Sequence, residues 1–365
     1  MSPPDLTRNG EGGSRLNDSP VLITGGAGFI GSNLADRLAR EGHRVRIYDA
    51  LSRPGVETNL EWLRRNHGEQ VEAITADVRD KERLAAAVRG AEAVFHMAAQ
   101  VAVTTSLEDA RADYEINLGG TLNLLEAVRD AGRNAPVIFA STNKVYGDLA
   151  DLDFALEGEA YVPTDPEVRA HGIGEARPLD FHTPYGCSKG GADQYVLDWA
   201  RSFGVPTSVI RMSCIYGPRQ MGTEDQGWVA HFLIRALEGK PITLYGDGHQ
   251  VRDILHVADA VDVYMAAWAQ IARVSGRAFN LGGGPDNAVS LRQLLAHIER
   301  VVGRPVDLSF SDWRAGDQRY FVADTRAVRR ELGLGPARPW REGVAELAAW
   351  LAEARGLSFG QARAA

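Results

Sequence analysis

Between Pro20 and about Ala140, short apolar runs alternate with amphipathic stretches, the pattern of parallel strands joined by crossover helices. The strands predicted are Val21 to Thr24, Arg44 to Tyr48, Val71 to Thr75, Ala93 to His96 and Val137 to Ala140. Ile116, Leu118, Leu122, Leu125 and Val128 recur near helical spacing and predict one continuous helix from Tyr114 to Asp130. The rhythm then stops. Residues 148–182 carry many acids and prolines at 163, 166 and 178, and they read as a long surface insertion of a length that function usually explains. A helix from Tyr185 to Phe203 and a strand from Thr207 to Arg211 follow. Mixed segments then run to Gly303, and two closing helices are predicted near Thr325 to Glu331 and Glu342 to Ala354. The chain thus reads as an α/β fold. A doubly wound parallel sheet occupies mainly 20–212, and a smaller mixed α/β lobe occupies mainly 213–355, with some segments returning to the first. Residues 1–19 are polar and rich in Gly, Ser, Pro and Asn and read as a disordered leader.

Composition narrows the class of partner. A formal charge of -8 argues against a general affinity for nucleic acid or an anionic membrane, leaving a small molecule as the expected partner. No apolar run reaches the length of a membrane span. Cys187 and Cys214 have no metal-site or disulfide spacing, which fits reduced thiols in a cytoplasmic protein, and no metal is expected.

The strongest local signal is Val21-Leu-Ile-Thr-Gly25-Gly-Ala-Gly28-Phe29-Ile30-Gly31, an apolar strand turning through glycines into a helix. Gly25 permits a tight turn, Gly28 lets the backbone approach a pyrophosphate, and Gly31 allows helix and strand to pack closely; the helix N-terminus favours the anion. This predicts a Rossmann dinucleotide site. Asp49, after the second strand, stands where an acid binds the ribose hydroxyls and repels a 2′-phosphate, which points to NAD; its bland alternative is a turn residue. Ser52 and Arg53 lie in the same turn, where Arg53 could stack on adenine or accommodate the extra phosphate of NADP. Asp77 and Val78 are expected beside the adenine, and Ala98, Ala99 and Gln100 along the cofactor cleft.

Tyr185 and Lys189 stand four apart at a helix start, so they share one face. An ammonium near a phenol favours the phenolate and would make Tyr185 an acid and base for a hydroxyl substrate. Thr142, after the fifth strand, could hydrogen-bond the reacting oxygen. With Asn117 in Ile-Asn-Leu-Gly-Gly-Thr121, Arg211 and Arg252-Asp-Ile-Leu-His256, these residues resemble the extended short-chain dehydrogenases, the family of nucleotide-sugar epimerases and dehydratases, over nearly the whole chain.

The resemblance implies a Thr142, Tyr185 and Lys189 triad exchanging hydride with NAD, with Asn117 near the cofactor. It also implies a homo-oligomer, dimer or tetramer, packed through helices following the fourth and fifth strands. Dehydratases of the family carry Asp-Glu directly after the catalytic Thr. Asn143 and Lys144 occupy those positions here, and they cannot serve as that acid and base, which leaves an epimerase. The runs Gln100 to Ser106, Thr142 to Gly147, Leu179 to Lys189 and Gln226 to Trp228 resemble the branch that inverts C2 of CDP-linked deoxyhexoses. Thr104, Thr105 and His182 are candidate sugar contacts or plain loop hydrogen-bonders. Arg219, Gln226, Trp228 and Arg252 are candidate contacts to the substrate nucleotide and its phosphates, Trp228 being a stacking surface or core. C4 chemistry on a UDP-sugar, and a non-catalytic NAD-binding regulator, stay open as alternatives.

Overall fold

The computed structural model describes residues 19–132, 135–314 and 316–357, so nearly all of the expected leader lies outside the described residues. Seven strands form one parallel sheet. Its first five are β1 (Val21–Thr24), β2 (Val45–Asp49), β3 (Val71–Thr75), β4 (Ala93–His96) and β5 (Val137–Thr142). The order runs Arg277–Leu281, Thr207–Met212, β5, β4, β1, β2, β3. From β1 the chain builds outward through β2 and β3, then crosses back to start β4 on the other side. That reversal leaves a crevice at the carboxyl ends of β1 and β4, where open α/β sheets bind ligands.

The strands are apolar on both faces because helices cover both. One face packs Ile23, Ile47 and Phe95 against α1 (Phe29–Arg40), α2 (Val56–His67) and Val257–Ala269. The other packs Leu22, Val94 and Phe139 against Leu125, Val128, Val196 and Trp199. The second lobe has its own core, where Phe232, Leu233, Leu294, Ile298, Val344 and Leu347 join the helices Trp228–Glu238, Leu291–Val302 and Trp340–Arg355. Strand Val251–His256 runs through that lobe and pairs with Ala288–Ser290, Tyr320–Phe321 and Cys214–Tyr216.

Two expectations gain detail. The helix predicted from Tyr114 to Asp130 is present and begins earlier, running unbroken from Ala110 to Asp130 with one π turn over Glu115–Gly119. The apolar spacing is blind to the extra residue in that turn, which rotates buried Asn117 toward the site. The insertion carries elements of its own: Phe154–Glu157 and Ala160–Pro163 form a hairpin and Pro166–His171 a short helix capped by the Asp165 side chain. Leu149 and Ile173 are buried in a small core with Val145, Tyr146 and Phe321, and Ile173 pairs with Ala323, which ties the segment to the second lobe.

Candidate active site

At the crevice, Gly25 adopts φ +69°, and a Cβ there would stand 2.7 Å from the Ala98 amide nitrogen. A Cβ on Gly31 would lie 2.2 Å from the Gly25 carbonyl oxygen, so only glycine lets α1 approach this closely. Gly28 begins α1 without a side-chain cap, leaving the helix's first amides for an anion. Phe29 and Ile30 are half-buried at the first turn. The cradle therefore fits a dinucleotide pyrophosphate.

Asp49 stabilises the same loop. Its carboxylate accepts from the Ala27 amide at 3.0 Å and the Leu51 amide at 2.9 Å, while burial raises its pKa. Lone pairs remain for ribose hydroxyls. Ser52 is exposed, and Arg53 turns its guanidinium onto the Gln226 side chain, so an expected cofactor contact touches an expected substrate contact. Asp77 is held by Arg79 through two guanidinium bonds at 3.0 and 2.7 Å. Val78 is buried against Gly120, and Ala98 and Ala99 are half-buried beyond β4.

The catalytic expectations converge from two elements. Thr142 ends β5 and caps a short turn, its hydroxyl accepting from the Lys144 amide at 3.2 Å. Tyr185 and Lys189 sit on one face of helix Thr183–Phe203. Burial, with Asp113, pushes the pKa of the Tyr185 phenol up to about 12, against the opposing effect of the Thr142 hydroxyl. Lys189 moves the opposite way: burial lowers its pKa to about 7 although Asp193 and Asp113 favour its charge. Its Nζ donates to the Ala140 carbonyl at 2.7 Å and lies 4.1 Å from the Phe139 ring centroid. The ammonium is therefore fixed at the end of β5 rather than left to swing.

Asn117 links the clusters. Its amide nitrogen donates to Ser188 Oγ at 3.0 Å, to Asp113 Oδ1 at 3.1 Å and to the Gln100 carbonyl at 3.0 Å; its oxygen accepts from the Gln100 amide at 2.9 Å. Ser106 accepts from the Tyr185 amide at 3.2 Å. Asp113, Ser106 and Ser188 escaped the sequence reading because single polar residues inside helices carry no spacing signal.

The expected substrate contacts are scattered. Thr104 Oγ1 is buried without a hydrogen-bond partner among the described residues, whereas Thr105 is exposed. His182 lies between carboxylates, 3.0 Å from Asp180 and 3.6 Å from Asp148. Arg219 places its guanidinium 3.9 Å from the Trp62 ring centroid and 5.5 Å from that of Trp350. Trp228 donates its indole N–H to Cys214 Sγ at 3.3 Å and stands edge-on to Phe232. Arg252 is buried and paired with Asp317 at 2.6 Å.

The sheet and the glycine cradle define a Rossmann-type dinucleotide fold, with a buried Thr, Tyr and Lys at the ends of β5 and the helix beside it. The model of the NAD dependent epimerase/dehydratase family matches residues 21–282. The chain belongs to that family, and NAD is its cofactor. It is 42% identical over 339 residues to the CDP-paratose 2-epimerase of Salmonella typhi, covering 90% of this chain and 98% of that protein. The UDP-glucose 4-epimerase of Thermotoga maritima, solved with UDP-glucose, superposes with a TM-score of 0.78 at 28% identity, covering 92% of this chain and 99% of that one. That of Thermus thermophilus, solved with NAD, gives 0.76 at 30% identity over 91% and 98%.

Proposed function

We propose that the protein is a nucleotide-sugar 2-epimerase interconverting CDP-paratose and its C2 epimer, CDP-tyvelose. The observation that carries this reading is an intact Thr142, Tyr185 and Lys189 group followed by Asn143 and Lys144, where elimination of water would need an acid and a base. Asn143 donates to Gln318 Oε1 at 3.2 Å, a positioning contact with no proton to exchange. The 42% identity to a CDP-paratose 2-epimerase supports C2 and cytidine.

Gly25, Gly28, Gly31, Phe29 and Ile30 would hold the pyrophosphate. Asp49, Ser52 and Arg53 would hold the adenosine ribose, Asp77 and Val78 the adenine, and Ala98, Ala99, Gln100 and Asn117 the nicotinamide side. NAD, when bound, would supply the acceptor for the C2 hydride and the donor for its return to the opposite face. Tyr185 takes the C2 hydroxyl proton and gives it back, and Thr142 donates to the reacting oxygen. Lys189 favours the phenolate and binds the nicotinamide ribose. The Thr104 hydroxyl, without a partner among the described residues, would meet the sugar with Thr105 and His182; Arg219, Gln226, Trp228 and Arg252 would serve the nucleotide end.

Exposed Leu107, Tyr114, Tyr195 and Phe203, on the helices that follow β4 and β5, support a homo-oligomer packed there. Both cysteines are free and no helix among the described residues is long and apolar enough to cross a membrane, which fits the cytoplasm. The second reading is C4 epimerisation of a UDP-sugar, favoured by the two superposing 4-epimerases. Incubation with CDP-paratose and, separately, with UDP-glucose decides between them: conversion of the first supports C2, and conversion of the second alone supports C4.

A further inference from the structure

Lys144 takes no part in the reaction just described, yet it stands two residues beyond Thr142. Its half-buried Nζ donates to the Gly316 carbonyl at 2.9 Å, the one hydrogen bond found for it among the described residues, and an ammonium has three donors. The next residue, Asp317, accepts from Arg252 Nη2 at 2.6 Å. Arg252 Nη1 is engaged by the Val251 carbonyl at 2.8 Å. Two cations thus hold adjacent residues, Lys144 the Gly316 carbonyl and Arg252 the Asp317 carboxylate. Burial and the repulsion of Arg252 lower the Lys144 pKa to about 8, against the opposing fields of Asp317, Cys214 and Asp148. An ammonium with two donors left over among the described residues, beside a guanidinium, is suited to receive an anion.

We propose that Lys144, with Arg252, binds the phosphoryl group attached to the sugar, and that its position beside Thr142 selects C2 as the reacting carbon. This rests on the C2 reading above. C2 is bonded to C1, the carbon that carries the diphosphate, whereas C4 lies across the ring. A substrate that reacts at C2 must bring its sugar-linked phosphoryl up to the catalytic hydroxyls, and Lys144 is a cation placed for that approach. The same contact anchors the 2-keto sugar while it turns its other face.

The test compares CDP with CMP, which lacks that phosphoryl group, on the NAD-loaded protein by titration calorimetry. Lys144→Met is expected to lose about tenfold or more in CDP affinity, the effect of one charged hydrogen bond, while CMP affinity stays within about twofold. Lys144→Arg, which keeps the charge, is expected to recover most of the loss. The wild-type protein gives a readout that needs no variant: its preference for CDP over CMP should fall as pH rises beyond about 8. Unchanged CDP affinity in Lys144→Met, an equal loss for both nucleotides, or a preference independent of pH would each overturn the proposal. Failure of the C2 reading looks different. Wild-type protein would then convert UDP-glucose and leave CDP-paratose untouched, which removes the choice of carbon even where the diphosphate contact persists.

Discussion

Arg211 and Asp193 form a buried two-point ion pair, Nε to Oδ2 and Nη2 to Oδ1 at 2.9 Å each. Asp193 lies on the catalytic helix one turn beyond Lys189, and Arg211 on the neighbouring strand Thr207–Met212. Ser141 donates to Asp193 at 2.7 Å, and Arg211 also donates to the Tyr146 hydroxyl at 3.0 Å. The pair therefore fixes the helix that carries Tyr185 and Lys189 against the strand end that carries Thr142.

Arg211→Met is expected to destabilise the fold by about 3–5 kcal/mol, because it strands a buried carboxylate. Adding Asp193→Leu should recover part of that loss. Chemical denaturation of the two variants checks this, and a single variant as stable as the wild type would show the pair to be dispensable.

Much of this arrangement was legible in the sequence. Strands β1 to β5 were readable to within a residue or two, because buried parallel strands are apolar runs bounded by turns. Gly25, Gly28 and Gly31, and the four-residue step from Tyr185 to Lys189, were legible because turn and helix geometry dictate their spacing. Asn117 was visible only as part of a resemblance; the π turn that aims it has no periodic signature. Asp193 was invisible for a similar reason, since its partner lies 18 residues away and pairing across elements is set by packing. Lys144 could be read as the absence of an acid, and its meeting with the loop that carries Gly316 needed the tertiary fold.

The cofactor-free protein is expected to gain stability from pH 7 to about pH 10. Lys189 titrates near 7 when folded and near its ordinary 10.5 when unfolded, so between those values the unfolded chain binds the extra proton. One such group gives a slope of about 1.4 kcal/mol per pH unit, and Lys144 acts in the same direction. Above pH 10 the trend reverses, since Tyr185 keeps its proton in the fold to about 12. Thermal melts at pH 7 and 9 should show a smaller rise for Lys189→Met than for the wild type; equal rises would contradict the burial of this charge.

Tyr185→Phe is expected to retain NAD and lose turnover by about 10²-fold or more, the usual scale of acid and base catalysis. Absorbance of bound cofactor together with a turnover assay measures both, and near-wild-type activity would remove Tyr185 from its role.

Gly31→Ala is expected to expel NAD and to destabilise the protein by about 1–3 kcal/mol, since the new methyl group meets the Gly25 carbonyl inside contact distance. Cofactor content after purification is the readout. A fully loaded variant would mean that the loop yields without harm to the cradle.

Epimerisation at C2 by internal return requires that one hydride leave and come back to the same carbon. Proton NMR of the purified protein with CDP-paratose in D2O should show CDP-tyvelose forming with hydrogen, not deuterium, at C2. Deuterium at C2, or no conversion while UDP-glucose is epimerised, would contradict the account.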